Sequence, residues 1–145
     1  MAGVKFDTKE FFFNLKDFTE KELPEKQVAF TKKISQKILR SVIQKSPVLT
    51  GRFRGAWVVG IGTRDLSVGE SIAVDPVGDV TFAHGVRAIA DLGENQMLHI
   101  SNNLDYAVRL ENGYSKKAPR GMVAVTLAEV QAWLDSTAKK KVEDL

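Results

Sequence analysis

Residues 24–45 read PEKQVAFTKKISQKILRSVIQK, and this stretch decides the fold class. Phe30, Ile34, Ile38 and Val42 recur every fourth position, with Leu39 and Ile43 beside them, so one face of a helix is apolar. Lys26, Lys32, Lys33, Lys37 and Lys45 fall at other angles. Pro24 suits the first turn, where its missing N–H would have no intrahelical partner, and Glu25 favours the same positive end. Pro47 stops the helix, because the residue before a proline is pushed out of the helical region. The pattern therefore predicts one long amphipathic helix from Pro24 to Lys45.

On the N-terminal side, Asp7 and Glu10 have capping-box spacing, and Phe11, Leu15 and Phe18 share one helical face, predicting a helical arm over residues 1–22. On the C-terminal side the pattern changes. Ala56–Ile61 (AWVVGI) is aromatic and β-branched between Gly55 and Gly62, which predicts a buried strand. Residues 63–80 hold two glycines, three aspartates and a proline and read as a long loop. Phe82–Leu92 predicts a short helix with Val86, Ile89 and Ala90 inward and Gly93 as its C-cap. Met97–Ser101 alternates as a strand, and Tyr106–Leu110 fits either strand or helix. From Met122 to Trp133 helical spacing returns, ending in Lys139–Lys141 and a polar tail over residues 139–145. The expectation is a single α+β domain over residues 1–145, with the long helix packed on a small, mostly antiparallel sheet, a short middle helix and a C-terminal helix.

Composition narrows the function. The chain has no cysteine, which excludes a disulfide scaffold, a thiolate zinc site and a cysteine nucleophile. No apolar run approaches the length that spans a bilayer, and residues 1–7 lack a signal-peptide core, so a soluble, unexported chain with no membrane partner is expected. The net charge of +3 is unevenly spread: basic residues exceed acidic ones by four in residues 1–50, whereas acidic residues lead by two in residues 51–110. A dedicated DNA-binding domain would carry a larger and more concentrated excess. His84 and His99 have no metal-ligand spacing, and no phosphate loop or nucleophile elbow is present. Asp75 and Asp79 read as turn formers. Neither catalysis nor a cofactor nor a bound metal is expected.

Two clusters remain. Ser46–Trp57 (SPVLTGRFRGAW) places Arg52 and Arg54 on either side of Phe53 and leads into Trp57. Its arginines either face solvent beside a core tryptophan or make charge-assisted bonds to carboxylates of a neighbouring subunit or to phosphates. Ser101–Met122 (SNNLDYAVRLENGYSKKAPRGM) carries Asn103, Tyr106, Glu111, Tyr114, Lys116, Lys117 and Arg120 in quick succession, a mixture of aromatic and charged groups suited to an interface.

Together these clusters resemble the SPVDTGRxRxxW and NNxxYxxxLExGxSxxAPxGMV signatures of a family of tailed-bacteriophage proteins, called neck, head-to-tail joining, tail-completion or tail-component proteins. The likeness covers residues 6–134, in the same order; Leu49 stands where the signature has Asp, and Asn112 where an aromatic or small residue is common. The resemblance implies a structural virion protein. It would form a homo-oligomeric ring, a hexamer, at the head-proximal end of the tail, completing or terminating the tail and joining it to the head. Its implied partners are the tail tube protein and the head-side connector or neck proteins, with non-specific contact to packaged DNA in the channel, after assembly in the host bacterial cytoplasm. The implied interface holds Arg52, Arg54, Trp57, Asn103, Tyr106, Glu111, Tyr114, Lys116, Lys117 and Arg120, with Arg52 and Arg54 facing groups such as Glu111 of the next subunit. The competing readings are a head-side connector subunit and a small DNA-binding protein whose Lys-rich helix tracks phosphates.

Overall fold

A computed structural model describes residues 16, 18–68 and 74–143. The expected capping box at Asp7 and Glu10 and the aromatic stripe from Phe11 to Leu15 lie outside the described residues, as do residues 69–73 of the expected loop and the end of the polar tail. The element order is α1 (Leu23–Lys45), β1 (Trp57–Ile61), α2 (Asp79–Ala90), β2 (Leu98–Asn102), α3 (Ala107–Glu111) and α4 (Val123–Glu143). A π-helical turn, Phe18–Glu22, leads into α1, and a 3-10 turn, Arg54–Ala56, leads into β1. The α+β class and the long helix, short middle helix and C-terminal helix stand as the sequence predicts.

The α1 helix starts one residue before Pro24 and ends at Lys45, where Ser46 is extended ahead of Pro47. Its buried line is Ser35, Leu39, Val42 and Ile43. The expected stripe is therefore turned: Val42 is inside, Ile34 and Ile38 are half-buried, and Phe30 is 50% exposed. The cause is that α1 has neighbours on two sides. Leu39 fits against α2 at Gly85, where an added Cβ would collide with the Leu39 side chain and press on Val59 of β1. Thr126 of α4 donates its hydroxyl to Ser41 Oγ at 3.0 Å. Leu39 is wholly enclosed, worth about 2 kcal/mol of apolar burial.

The sheet has two antiparallel strands, with Trp57 opposite Asn102 and Ile61 opposite Leu98. Two strands alone are marginal in water. Here α2 packs across β1 and joins it to α1 in one core that also includes Phe53, Trp57, Ile89, Leu104 and Met122.

The α2 helix begins at Asp79, three residues earlier than the sequence predicts, because of Asp75. The buried Asp75 carboxylate accepts from Gly78 N at 2.9 Å, Thr81 N at 2.9 Å and Thr81 Oγ1 at 2.8 Å, so it holds the helix entrance together. Burial alone would raise its pKa, but hydrogen bonds from Thr81, Gly78 and Val80 hold the carboxyl below its ordinary value. The early start moves the inward line to Thr81, Gly85 and Ile89; Val86 is half-buried and Ala90 exposed, and the C-cap is Asp91 rather than Gly93.

The amphipathic side of α4 buries Thr126 and Val130 and half-buries Trp133, while Glu129 points outward to an ion pair with Lys45 at 2.8 Å. Glu129 is 57% exposed, so solvent screens the pair. Replacing Glu129 with alanine should cost less than about 0.5 kcal/mol in a urea titration.

Candidate interaction surface

The two motif clusters, some fifty residues apart in the chain, fold into one structure. In Ser46–Trp57 the chain leaves α1, turns through Gly51 and enters β1. Ser46 Oγ donates to Val42 O at 2.6 Å and accepts from Trp57 Nε1 at 2.7 Å, so the helix end and the strand start share one hydroxyl. Gly51 O accepts from Gly55 N at 2.9 Å and from Asp75 N at 3.2 Å. Phe53 is buried and packs its ring against Trp57, with centroids 6.1 Å apart at a steep angle, and against Tyr106 at 5.9 Å.

Arg54 does not project outward. Its Nη1 donates to Pro76 O at 2.9 Å, and its Nη2 donates to Gln44 O at 3.0 Å and Ser46 O at 2.8 Å. The guanidinium fork thus ties the end of α1 to the segment that precedes α2. Its Nε is buried without a hydrogen-bond partner.

The second cluster is stitched to the first. Asn102 Nδ2 donates to Phe53 O at 2.9 Å, and Lys117 Nζ donates to Val48 O at 3.1 Å. Asn103 faces the loop after β1: its Nδ2 donates to Asp65 O and Ser67 O, and its Oδ1 accepts from Arg64 at 2.7 Å.

Glu111 closes the cluster. Its Oε2 accepts from Met122 N at 2.8 Å and Val123 N at 3.0 Å, and its Oε1 accepts from Ala124 N at 3.0 Å. These are N–H groups at the start of α4 that have no partner within the helix, and the carboxylate also sits at the positive end of the helix dipole. Burial would raise the Glu111 pKa, but the bonds from Val123, Ala124 and Met122 prevail and lower it. Gly121 is needed here. Its φ is +81°, and a Cβ on it would meet the Glu111 backbone oxygen and lie 2.7 Å from the carboxylate.

The predicted site residues divide into two sets. Arg54, Trp57, Asn103 and Glu111 are bound within their own chain. Arg54 and Glu111, expected to face one another across a subunit boundary, make these bonds with backbone groups of their own chain. Arg52, Tyr106, Tyr114, Lys116, Lys117 and Arg120 are exposed, although Lys117 is also tied to Val48 O and Tyr106 rests against Phe53. Tyr114 is 72% exposed beneath the Arg109 guanidinium, 5.4 Å from its ring centroid.

Two adjoining clefts mark this surface. One, about 450 Å³, is lined by Phe53 and Leu110 together with Leu49, Tyr106, Tyr114 and Lys116. The other, about 510 Å³, is lined by Lys45, Arg54, Lys117 and Arg120 among smaller apolar groups. Pro47, Val48 and Lys117 belong to both. No carboxylate lines either cleft. Leu49, 97% exposed, and Val108, 72% exposed, belong to the same two clusters and were missed as candidates. For Leu49 the signal was its apolar character where the resembling signature has Asp. Val108 carried no signal, because a five-residue helix is too short to show periodicity.

Among the described residues, no group of three His, Asp or Glu gathers to hold a metal ion, and no helix is long and apolar enough to cross a membrane. His84 is exposed on α2 and His99 is half-buried in β2. Comparisons with protein-family models, curated proteins and solved structures find no match for this chain.

Proposed function

We propose that this chain is a structural subunit of a tailed-bacteriophage virion that forms a ring at the head-proximal end of the tail, where it completes the tail and joins it to the head. One observation carries the reading. The two segments that resemble the phage signatures converge on a single face, their internal polar groups hold that face in shape, and exposed Leu49 and Tyr114 share a cleft there with Lys116 and Lys117. Exposed apolar groups beside charged ones on a rigid frame suit protein–protein contact.

The lysines of α1 favour this reading over phosphate tracking. Lys45 pairs with Glu129, Lys32 donates to Ala90 O at 2.9 Å, and Lys33 and Lys37 lie over the Trp133 ring at 5.9 and 5.1 Å. The helix therefore engages these cations within the chain. A DNA-tracking protein would show an affinity that falls steeply with salt.

The test is electron microscopy of particles assembled from a phage genome in which this reading frame is interrupted. Headless tails of uncontrolled length are the result expected of a tail terminator, and tails of normal length that fail to attach are that of a joining protein. Complete, infectious virions would overturn the proposal.

A further inference from the structure

The loop between α2 and β2 is a second shaped surface that carries two acids, with Lys32 Nζ bonded to Ala90 O at its start. Asp91 and Glu94 are exposed, and their carboxylates make no hydrogen bond or ion pair with a described residue. The loop has a fixed form: Gly93 N donates to Gln96 Oε1 at 2.6 Å, and Asn95 takes the left-handed conformation at φ 58°. Met97, 66% exposed, follows it, and Phe30, 50% exposed, lies alongside on α1. The loop is thus an ordered projection with two acids and apolar groups beside it.

This projection packs beside the N-terminal half of α1, around Pro24–Thr31, whereas the cationic clefts begin at Gln44–Pro47 beyond its other end. At 1.5 Å per residue, the eighteen steps from Val28 to Ser46 separate the two by about 27 Å along a continuous helix. They cannot meet within one chain. Lys116 and Arg120, like Asp91 and Glu94, are exposed and have no side-chain partner among the described residues.

We infer that copies of this chain associate head to tail, the Asp91–Met97 loop of one docking against the Lys116 and Arg120 face of the next. The inference rests on the ring reading above and gives it an interface. Two different patches at opposite ends of one subunit make a heterologous contact, the kind that closes into a ring when its rotation permits. Charge complementarity selects a second copy as the occupant, and exposed apolar groups on both sides, Met97 and Phe30 against Leu49 and Tyr114, are available for burial.

The experiment compares the full chain with two variants by native mass spectrometry, with circular dichroism confirming that each is folded. The variants are Asp91→Lys with Glu94→Lys, and Lys116→Glu with Arg120→Glu. All four positions are exposed and lack side-chain bonds to described residues, so the fold is expected to persist. The wild-type chain should form multimers and each variant alone should be monomeric, since like charges then face each other. An equimolar mixture should restore multimers containing both variants in equal number. Multimers formed by either variant alone, or a mixture that stays monomeric, would overturn the docking inference and leave the ring reading standing. A wild-type chain that remains monomeric would overturn both.

Discussion

Replacing Arg54 with methionine should lower the unfolding free energy by about 3 kcal/mol, read as a fall in the urea midpoint without a change in slope. The side chain makes three hydrogen bonds to backbone carbonyls on two separate segments. A hydrogen bond to a charged group is worth about 1.5–3 kcal/mol, and three would sum well above the expected loss. Two effects reduce it. The group is only half-buried, so water can replace some of the lost partners, and its buried Nε has no acceptor, a cost that the methionine variant removes. Lysine at this position keeps the charge but has a single nitrogen and no planar fork, so Arg54→Lys should recover less than half of the loss. An equal midpoint for the wild type and the methionine variant would show that the clamp is dispensable.

Glu111→Ala should cost about 2 kcal/mol, combining the loss of an N-terminal cap with the loss of a charge at the positive end of α4. Its pH dependence identifies the cause. The folded chain holds this carboxyl below its ordinary pKa of 4.5, so the contribution is fully present above that value and disappears as pH falls through the lower folded pKa. Asp75, held below its ordinary 3.8, acts in the same direction. Subtracting the Glu111→Ala stability curve from that of the wild type removes the Asp75 contribution. The difference should be flat near neutrality and shrink in the acid range. A difference independent of pH down to the lowest measurable stability would mean that the side chain acts by packing rather than by charge.

The long helix, the first strand and the C-terminal helix were legible because each is written in a local pattern, a four-residue recurrence or a β-branched run between glycines. The start of α2 was not, because Asp75 fixes it from four residues upstream through a carboxylate that bonds Gly78 and Thr81. Periodicity cannot register a cap that lies in the preceding turn. The face of α1 was rotated for a different reason: burial is decided by α2 and α4 arriving from elsewhere in the chain. The importance of the two clusters was visible in their unusual density of charged and aromatic residues, but the division of labour within them was not. Arg52 and Arg54 look equivalent in SPVLTGRFRGAW, yet the 3-10 turn from Arg54 to Ala56 carries one inward and leaves the other in solvent. Glu111 likewise looks like a surface acid until the chain brings Met122–Ala124 back to it.

Beside the side-chain pairs Trp57–Ser46 and Arg64–Asn103, a second kind of long-range tie holds this surface with an unequal grammar. Arg54, Asn102, Asn103 and Lys117 each donate to a peptide oxygen, at Gln44, Ser46, Phe53, Val48, Asp65, Ser67 or Pro76. A peptide oxygen is the same atom whatever side chain it carries. Each tie therefore asks for a particular residue at one end only, and mutation at Gln44, Val48, Ser67 or Pro76 leaves the acceptor where it was. A scaffold built this way can keep its shape while half of the positions that define it drift, freeing the exposed residues between the anchors to follow a changing partner.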